Sequence, residues 1–359
     1  MKLHETIKQL FSFSPPSTQR YAWVDYAKGI AIIFVTYRHV IYGLLYAGAY
    51  INPVLMDINE MMYGFRMPLF FFLSGLFFAS SLRKRGSRNF FINKVNTLLY
   101  PYLLWCLIQT TLQIIFSQYT NHKLGFMNYL DILIHPRSML QQWYLLALFN
   151  VSVLYMFTTV VFKLNAFAQL LLGLGLMALK PYTGDISTLT DITLYYAFFA
   201  LGHLSVAFFF EEKVQQQLAS PKKILLLTPV FIAVQYFCMI HPELNIFYIS
   251  VLTLLGGVLV IMISMVLANS RKLQFLQVIG NYSLYIYLLH LGIIFICRRL
   301  LYEGHFHIRG SVLILIFMAT GIYFSIVLYR LCVMLGMKFL FVGPFKERRE
   351  PVTANTLRT

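Results

Sequence analysis

Acidic residues are scarce in this chain: 13 Asp and Glu stand against 29 Lys and Arg in 359 residues, and charged residues together reach only 12%. So little charge excludes an ordinary water-soluble domain, in which about a quarter of residues are charged. Cysteine is also rare. Cys106, Cys238, Cys297 and Cys332 each sit in or at the end of an apolar run without paired spacing, so neither a disulfide framework nor a metal site is expected. Residues 1–19 lack an apolar core followed by a small-residue cleavage site, so no cleavable signal is expected and the first apolar segment is left to direct insertion. There is no convincing internal repeat.

What the chain does have is apolar length. At 59% hydrophobic it reads as an all-α, multi-pass membrane helix bundle. Apolar runs near the roughly 20 residues that cross a bilayer predict ten spans, at about 27–50, 67–82, 97–117, 142–162, 166–180, 192–210, 224–240, 246–268, 279–297 and 311–336. The fifth is short enough to be re-entrant. Three regions follow: a cytoplasmic N-terminal segment at 1–19, a membrane domain at 20–336 and a charged cytoplasmic tail at 337–359. After Gly343 the tail is charged and proline-containing, and is expected to be a disordered end at the inner face.

The net charge of +16 points to loops facing anionic lipid and not to a nucleic-acid partner. Lys and Arg concentrate in alternate connections. One set carries Lys2, Lys8, Arg20, Arg83, Lys84, Arg85, Arg88, Lys94, Lys163, Lys213, Lys222, Lys223, Arg271, Lys272, Lys338, Lys346, Arg348, Arg349 and Arg358; the other carries Lys123, Arg137, Lys180, Arg298, Arg299 and Arg309. A bias of about three to one predicts both termini in the cytoplasm.

Within RYAWVDYAKGIAIIFVTYRHVIYG, residues 20–43, an apolar helical run carries Asp25, Lys28, Arg38 and His39. Lys28 and His39 are eleven residues apart and differ by roughly 20° around a helix, so they share a face about 16 Å apart along the axis. Two readings stand: work for intramembrane ionisable groups, or a snorkelling lysine and a histidine that bridges two helices. Near the C-terminus, IGNYSLYIYLLHLGII places Ser283, Tyr287 and His290 at i, i+4, i+7 on one face of the ninth span. Counted from a start at 279, His290 lies about 16 Å deep, level with His39 and with Ser74 of the second span.

The second span opens FRMPLFFFLSGLFF, with Pro68 expected in a helix's first turn and with Ser74 and Gly75 suited either to close packing or to a local break. Arg66 is expected at the outer mouth, as an interfacial anchor or as a contact for an anionic or hydroxylated molecule. The following SLRKRGSRNFFINK reads either as a topological anchor or as a cradle for a phosphorylated cytosolic cofactor, through Arg83, Lys84, Arg85 and Arg88. The loop at 118–141, with His122, Asp131 and His135, either covers an opening or merely connects.

The stretches DYAKGIAIIFVTYRH, FRMPLFFFLSGLFF, LLYPYLLW, QQWYLLALF and IGNYSLYIYLLH resemble, in this order, the blocks of the acyltransferase type 3 family of bacterial membrane proteins, above all its fucose O-acetylase-like and exopolysaccharide-modifying members. The resemblance covers about residues 20–335. It implies transfer of an acyl group, commonly acetyl, from cytosolic acyl-CoA to a hydroxyl of a glycan or lipid-linked sugar at the bacterial inner membrane, with acetyl-CoA as co-substrate and no tightly bound cofactor. Partners would be the acyl-CoA, the saccharide acceptor, the bilayer and proteins of polysaccharide biosynthesis.

The family pattern has a basic residue and an essential His separated by ten residues, which Lys28 and His39 match, with lysine where arginine is usual. Before Met-Pro, relatives often have His where this chain has Arg66. On this basis His39 is the expected general base or, as the alternative, a transient acyl carrier, Asp25 pairs with Lys28, the Arg83–Arg88 cluster holds the nucleotide, and Arg66, Ser74, Trp143, Tyr287 and His290 border the pocket and the acceptor entrance. The competing expectation is a transporter or flippase for a lipid-linked sugar or small polar substrate, in which the same polar groups bind cargo.

Overall fold

The computed structural model describes residues 10–14, 21–115, 125–302 and 308–348. Expectations on His122, Lys123, Arg20, most of segment 1–19 and the tail beyond Arg348 lie outside the described residues. Every regular element among those described is helical. In chain order they are α1 (Ala22–Tyr46), α2 (Pro53–Met61), α3 (Tyr63–Leu76), α4 (Phe78–Lys94), a π-helical turn (Val95–Leu99), α5 (Tyr100–Ile115), α6 (Asn128–Ile134), a 3-10 stretch (Pro136–Gln142), α7 (Trp143–Val160), α8 (Ala166–Ala178), a 3-10 turn (Lys180–Tyr182), α9 (Ser187–Leu204), α10 (Val206–Phe210), α11 (Glu212–Leu218), α12 (Pro221–Ile240), α13 (Ile246–Ser270), α14 (Gln274–Asn281), α15 (Ser283–Leu301), α16 (Gly310–Met334) and a 3-10 turn (Met337–Leu340).

Among the described residues, seven segments are long and apolar enough to cross a membrane: α1, α4 continued through α5, α7, α12, α13, α15 and α16. Three expected spans differ. The second begins at Tyr63, earlier than expected, so Pro68 lies inside α3 and not in its first turn, and the helix breaks at Phe77 instead of running to 82. The fifth is the 13-residue α8, about 20 Å long. The sixth, α9, is bordered by α3, α7 and α8. Protein on several sides relaxes the demand for lipid-grade apolarity.

α1 is the hub, in contact with α3, α13, α14, α15 and α16. Small residues allow this crowding. A Cβ on Gly29 would strike the Leu276 carbonyl of α14, and one on Gly280 would strike the Asp25 carbonyl of α1. Gly75 of α3 and Gly202 of α9 make a second such crossing, each against the other helix's backbone. The small residues after Ser74 thus serve close packing, and the break comes two residues later.

The stretch read as a loop, SLRKRGSRNFFINK, is helical and bent at Gly86, whose φ of 72° and ψ of 165° suit glycine alone. The π-helical turn follows because Pro101 has no N–H to continue the ladder. Tyr100 N–H reaches back to the Val95 carbonyl, leaving that of Asn96 open; Gly343 N–H fills it at 2.9 Å.

That bond belongs to a strap. Residues 343–348, expected to be disordered, lie along α4 and the π-helical turn, where Asn89, Asn93 and Asn96 share a face. Asn96 Nδ2 donates to the Phe345 carbonyl at 2.7 Å and its Oδ1 accepts from Phe345 N–H at 3.1 Å. Asn89 repeats the pairing on Arg348, at 2.9 and 2.8 Å, and Asn93 Nδ2 donates to Glu347 at 3.2 Å. Upstream, Trp105 donates to the Leu340 carbonyl and Phe341 is fully buried. The amides read the strap's backbone, which is why charge and proline did not leave it loose.

Candidate functional site

At the end of the bundle that carries the basic α4, Tyr26 at the start of α1 ties to the Lys272 carbonyl at 2.8 Å. One turn on, Asp25 Oδ1 and Lys28 Nζ are 3.7 Å apart, the i, i+3 pairing expected of them. Lys28 then faces a cavity of about 410 Å³ between α1, α3, α4, α7 and α15. Its wall is mostly apolar, with Ile32, Met67, Phe70, Leu73, Phe90, Leu98 and Leu148 among its members. Its polar members are Lys28, Lys94, Ser74, Ser81, Tyr144, Ser283 and Tyr287.

Of the four cations expected to hold a nucleotide, Arg83, Lys84 and Arg88 are exposed and face none of this cavity. Arg85 is partly buried, its Nε without a partner among the described residues, and it is the charged neighbour of Lys94. Lys94, read from sequence only as an orienting charge, is the second cavity lysine, packed over the Phe90 ring at 5.3 Å. The bend at Gly86 turns the second half of α4 inward and puts it there.

Tyr287 lines the cavity. Its ring lies 5.5 Å from that of Tyr144, and its hydroxyl is buried without a hydrogen-bond partner among the described residues. Three residues further along α15 is His290, fully buried. α15 begins at Ser283, after a break at Tyr282, so His290 stands about 10 Å from its start and not the 16 Å reckoned from residue 279. His290 Nδ1 is 2.8 Å from the Ile286 carbonyl. A carbonyl only accepts, so Nδ1 carries the proton, and in the neutral ring Nε2 is a lone pair. That nitrogen is buried and unpartnered among the described residues.

His39 and His290 meet across α1 and α15 with ring centroids 5.2 Å apart. Two of the three groups expected at one level thus come together. The third, Ser74, lies on the cavity wall with its hydroxyl donated back to the Phe70 carbonyl at 2.8 Å.

Beyond His39, Arg66 is not at an open mouth. It is only 2% exposed, donating to the Phe34 carbonyl at 2.5 Å and more weakly to Tyr63 at 3.4 Å. Starting α3 at Tyr63 draws Arg66 one turn into the bundle. Nearer the far end, Arg38 pairs with Glu60 of α2 at 3.0 Å and lies over the rings of Tyr63 and Tyr42 at 4.1 and 4.6 Å. Tyr42 and Asn59 also donate to Glu60, at 2.8 and 2.9 Å.

Trp143 is part of an aromatic and ionic cluster: Tyr195 stacks on it at 5.7 Å, Arg137 covers it at 4.5 Å, and Arg137 pairs with the buried Asp191. His135 Nδ1 donates to the Asp185 carbonyl at 2.8 Å, and Asp131 accepts from Asn128, so both serve connections at this end. Asn59 Oδ1, Gln141 Oε1, Gln142 Oε1 and Asp191 Oδ2 are buried acceptors without partners among the described residues. Glu60, Tyr63, Asp191 and Tyr195 went unread in the sequence. In a chain with so few acids, each acid at a span edge was itself a signal.

The polar groups of the bundle thus fall into three sets: a cavity lined by two lysines and two tyrosines, a histidine pair next to Tyr287, and a cluster of guanidiniums, carboxylates and orphaned oxygens. The family model described as an acyltransferase domain, of type 3, matches residues 21–330. A nodulation protein NolL of Sinorhizobium fredii is 28% identical over 207 residues, 57% of this chain and 53% of that protein. A second NolL, of Mesorhizobium japonicum, is 32% identical over 92 residues, 25% of this chain and 24% of that protein. The chain therefore spans about half the length or less of the curated relatives it matches. No solved structure matches it. With a multi-pass helix bundle and a match over nearly its whole length, the chain belongs to the acyltransferase type 3 family of membrane acyltransferases.

Proposed function

We propose that this protein is an O-acyltransferase of the bacterial inner membrane that moves an acyl group, acetyl first, from cytosolic acyl-CoA to a hydroxyl of a glycan, exopolysaccharide or lipid-linked sugar. The observation that carries the reading is the placing of the histidine pair between a lysine-lined apolar cavity and a far end rich in unpartnered acceptors. Lys28, held by Asp25, and Lys94 with Arg85 beside it supply cations for phosphate oxygens as point charges. Exposed Arg83, Lys84 and Arg88 extend that field outward. The apolar wall suits a pantetheine arm and a short acyl chain.

His39 takes the proton of the acceptor hydroxyl as that oxygen attacks the thioester carbonyl. Its ring has no hydrogen bond to another group among the described residues, which leaves it free to turn toward a substrate. Arg66, Arg38 and the Trp143–Tyr195 stack border the acceptor side, where a sugar's hydroxyls would donate to the orphaned oxygens of Asn59, Gln141, Gln142 and Asp191. In this reading there are ten spans, counting α3, α8 and α9 as crossings screened by protein, and both termini are cytoplasmic.

The test is release of CoA thiol from acetyl-CoA by purified protein, offered a panel of glycan and lipid-linked acceptors. Acceptor-dependent release is expected, and His39→Ala lowers it about 10²- to 10⁴-fold while acetyl-CoA still binds. A folded protein that binds no acyl-CoA overturns the reading in favour of a transporter or flippase, for which the same buried polar groups would hold cargo.

A further inference from the structure

Acyl transfer from a thioester to a hydroxyl also moves a proton, which leaves the acceptor oxygen and ends on the CoA sulfur. The two oxygen and sulfur centres approach from opposite ends of this bundle. His39 has the guanidiniums of Arg66 and Arg38 as its neighbours on the acceptor side. His290 has Tyr287, which lines the donor cavity, 6.4 Å away ring to ring. The two histidines are 5.2 Å apart, within reach of each other by a ring rotation or a single water.

We propose that His290 is the donor-side half of a two-histidine proton relay, passing to the leaving sulfur the proton that His39 takes from the acceptor. This rests on the acyltransferase reading above. The acceptor O–H bond breaks and its proton goes to His39 as the oxygen bonds to the thioester carbonyl carbon. Collapse of the tetrahedral adduct breaks the C–S bond. The proton passes from His39 to Nε2 of His290 and from there to sulfur, so free CoA leaves and both rings end neutral. Nδ1 takes no part, since the Ile286 carbonyl holds its proton. The unpartnered Nε2 is what a purely structural histidine would not retain in a fully buried site, because a polar atom taken out of water without a partner destabilises the fold.

The groups facing the pair are few. α1 brings His39 and Arg38, α3 brings Arg66, α7 brings Tyr144 against Tyr287, and α15 brings Tyr287 itself. α16 meets α15 near this level through Gly321 against Ile294, while its Tyr323 and Tyr329 engage Phe13 and Tyr285. α14 carries no titratable side chain.

The experiment measures acetyl-CoA binding and acceptor-dependent thiol release across pH for the full-length wild type, His290→Gln and His290→Ala. The relay predicts binding within about threefold of wild type in both variants and turnover down about 10²-fold. Millimolar imidazole, which can carry the proton in place of the missing ring, should restore part of the rate to His290→Ala at every pH at which the wild type is active. Folded variants with wild-type turnover and pH profile overturn the relay alone. A reduced rate that imidazole does not rescue makes His290 a structural residue and also overturns it. A wild type that never releases thiol overturns the acyltransferase reading and the relay together.

Discussion

A lysine and an arginine exchanged roles between reading and structure. Lys94 looked like one more orienting charge at a membrane edge, and Arg66 looked like a mouth residue. Lys94 lines the cavity, whereas Arg66 is buried and spends its donors on backbone carbonyls. Lys94→Ala should therefore raise KM for acetyl-CoA about tenfold with little change in kcat, because one phosphate contact of about 1.4 kcal/mol is lost from ground and transition states alike. Steady-state kinetics at fixed acceptor checks this. Arg83→Ala, at an exposed site outside the cavity, serves as the comparison and should change KM by less than about threefold.

At the scale of elements, the important features are breaks. The bend at Gly86, the π-helical turn before Pro101 and the interruption at Tyr282 set where Lys94, Asn96 and His290 sit. The strap depends on the second of these. Asn96→Ala removes both amide bonds to Phe345, and a chain ending at residue 342 removes the whole ladder. At about 1 kcal/mol for each lost bond, Asn96→Ala should lower the unfolding midpoint by a few degrees in a detergent thermal-shift assay. Truncation should lower it further and expose α4 to protease near Gly86. An unchanged midpoint in both would mean that the strap adds nothing to the hold on α4.

For the molecule as a whole, the proposed topology has ten spans with the cation-rich connections in the cytoplasm. Single cysteines introduced in a variant lacking Cys106, Cys238, Cys297 and Cys332 can read this directly. Arg88→Cys should react with a membrane-impermeant maleimide only from the cytoplasmic side, and Lys180→Cys only from the outer side. Label at both positions from the same side would remove a crossing between them and with it the ten-span reading.

Much of this was legible in residue order. Membrane class, helical content, the Lys28–His39 stripe, the Asp25–Lys28 pair and the shared face of Ser283, Tyr287 and His290 all follow from composition and from the 3.6-residue period, which act over one or two turns. The chain could not show by order alone which stripes meet. His39 and His290 are 251 positions apart, Arg137 finds Asp191 across 54, and Asn89 finds Arg348 across 259, each through close helix crossings at glycines and through breaks that apolar runs do not mark. Local periodicity decides which face a side chain occupies; only packing of the bundle decides what that face touches, because every apolar helix offers lipid and protein equally plausible neighbours until backbones approach.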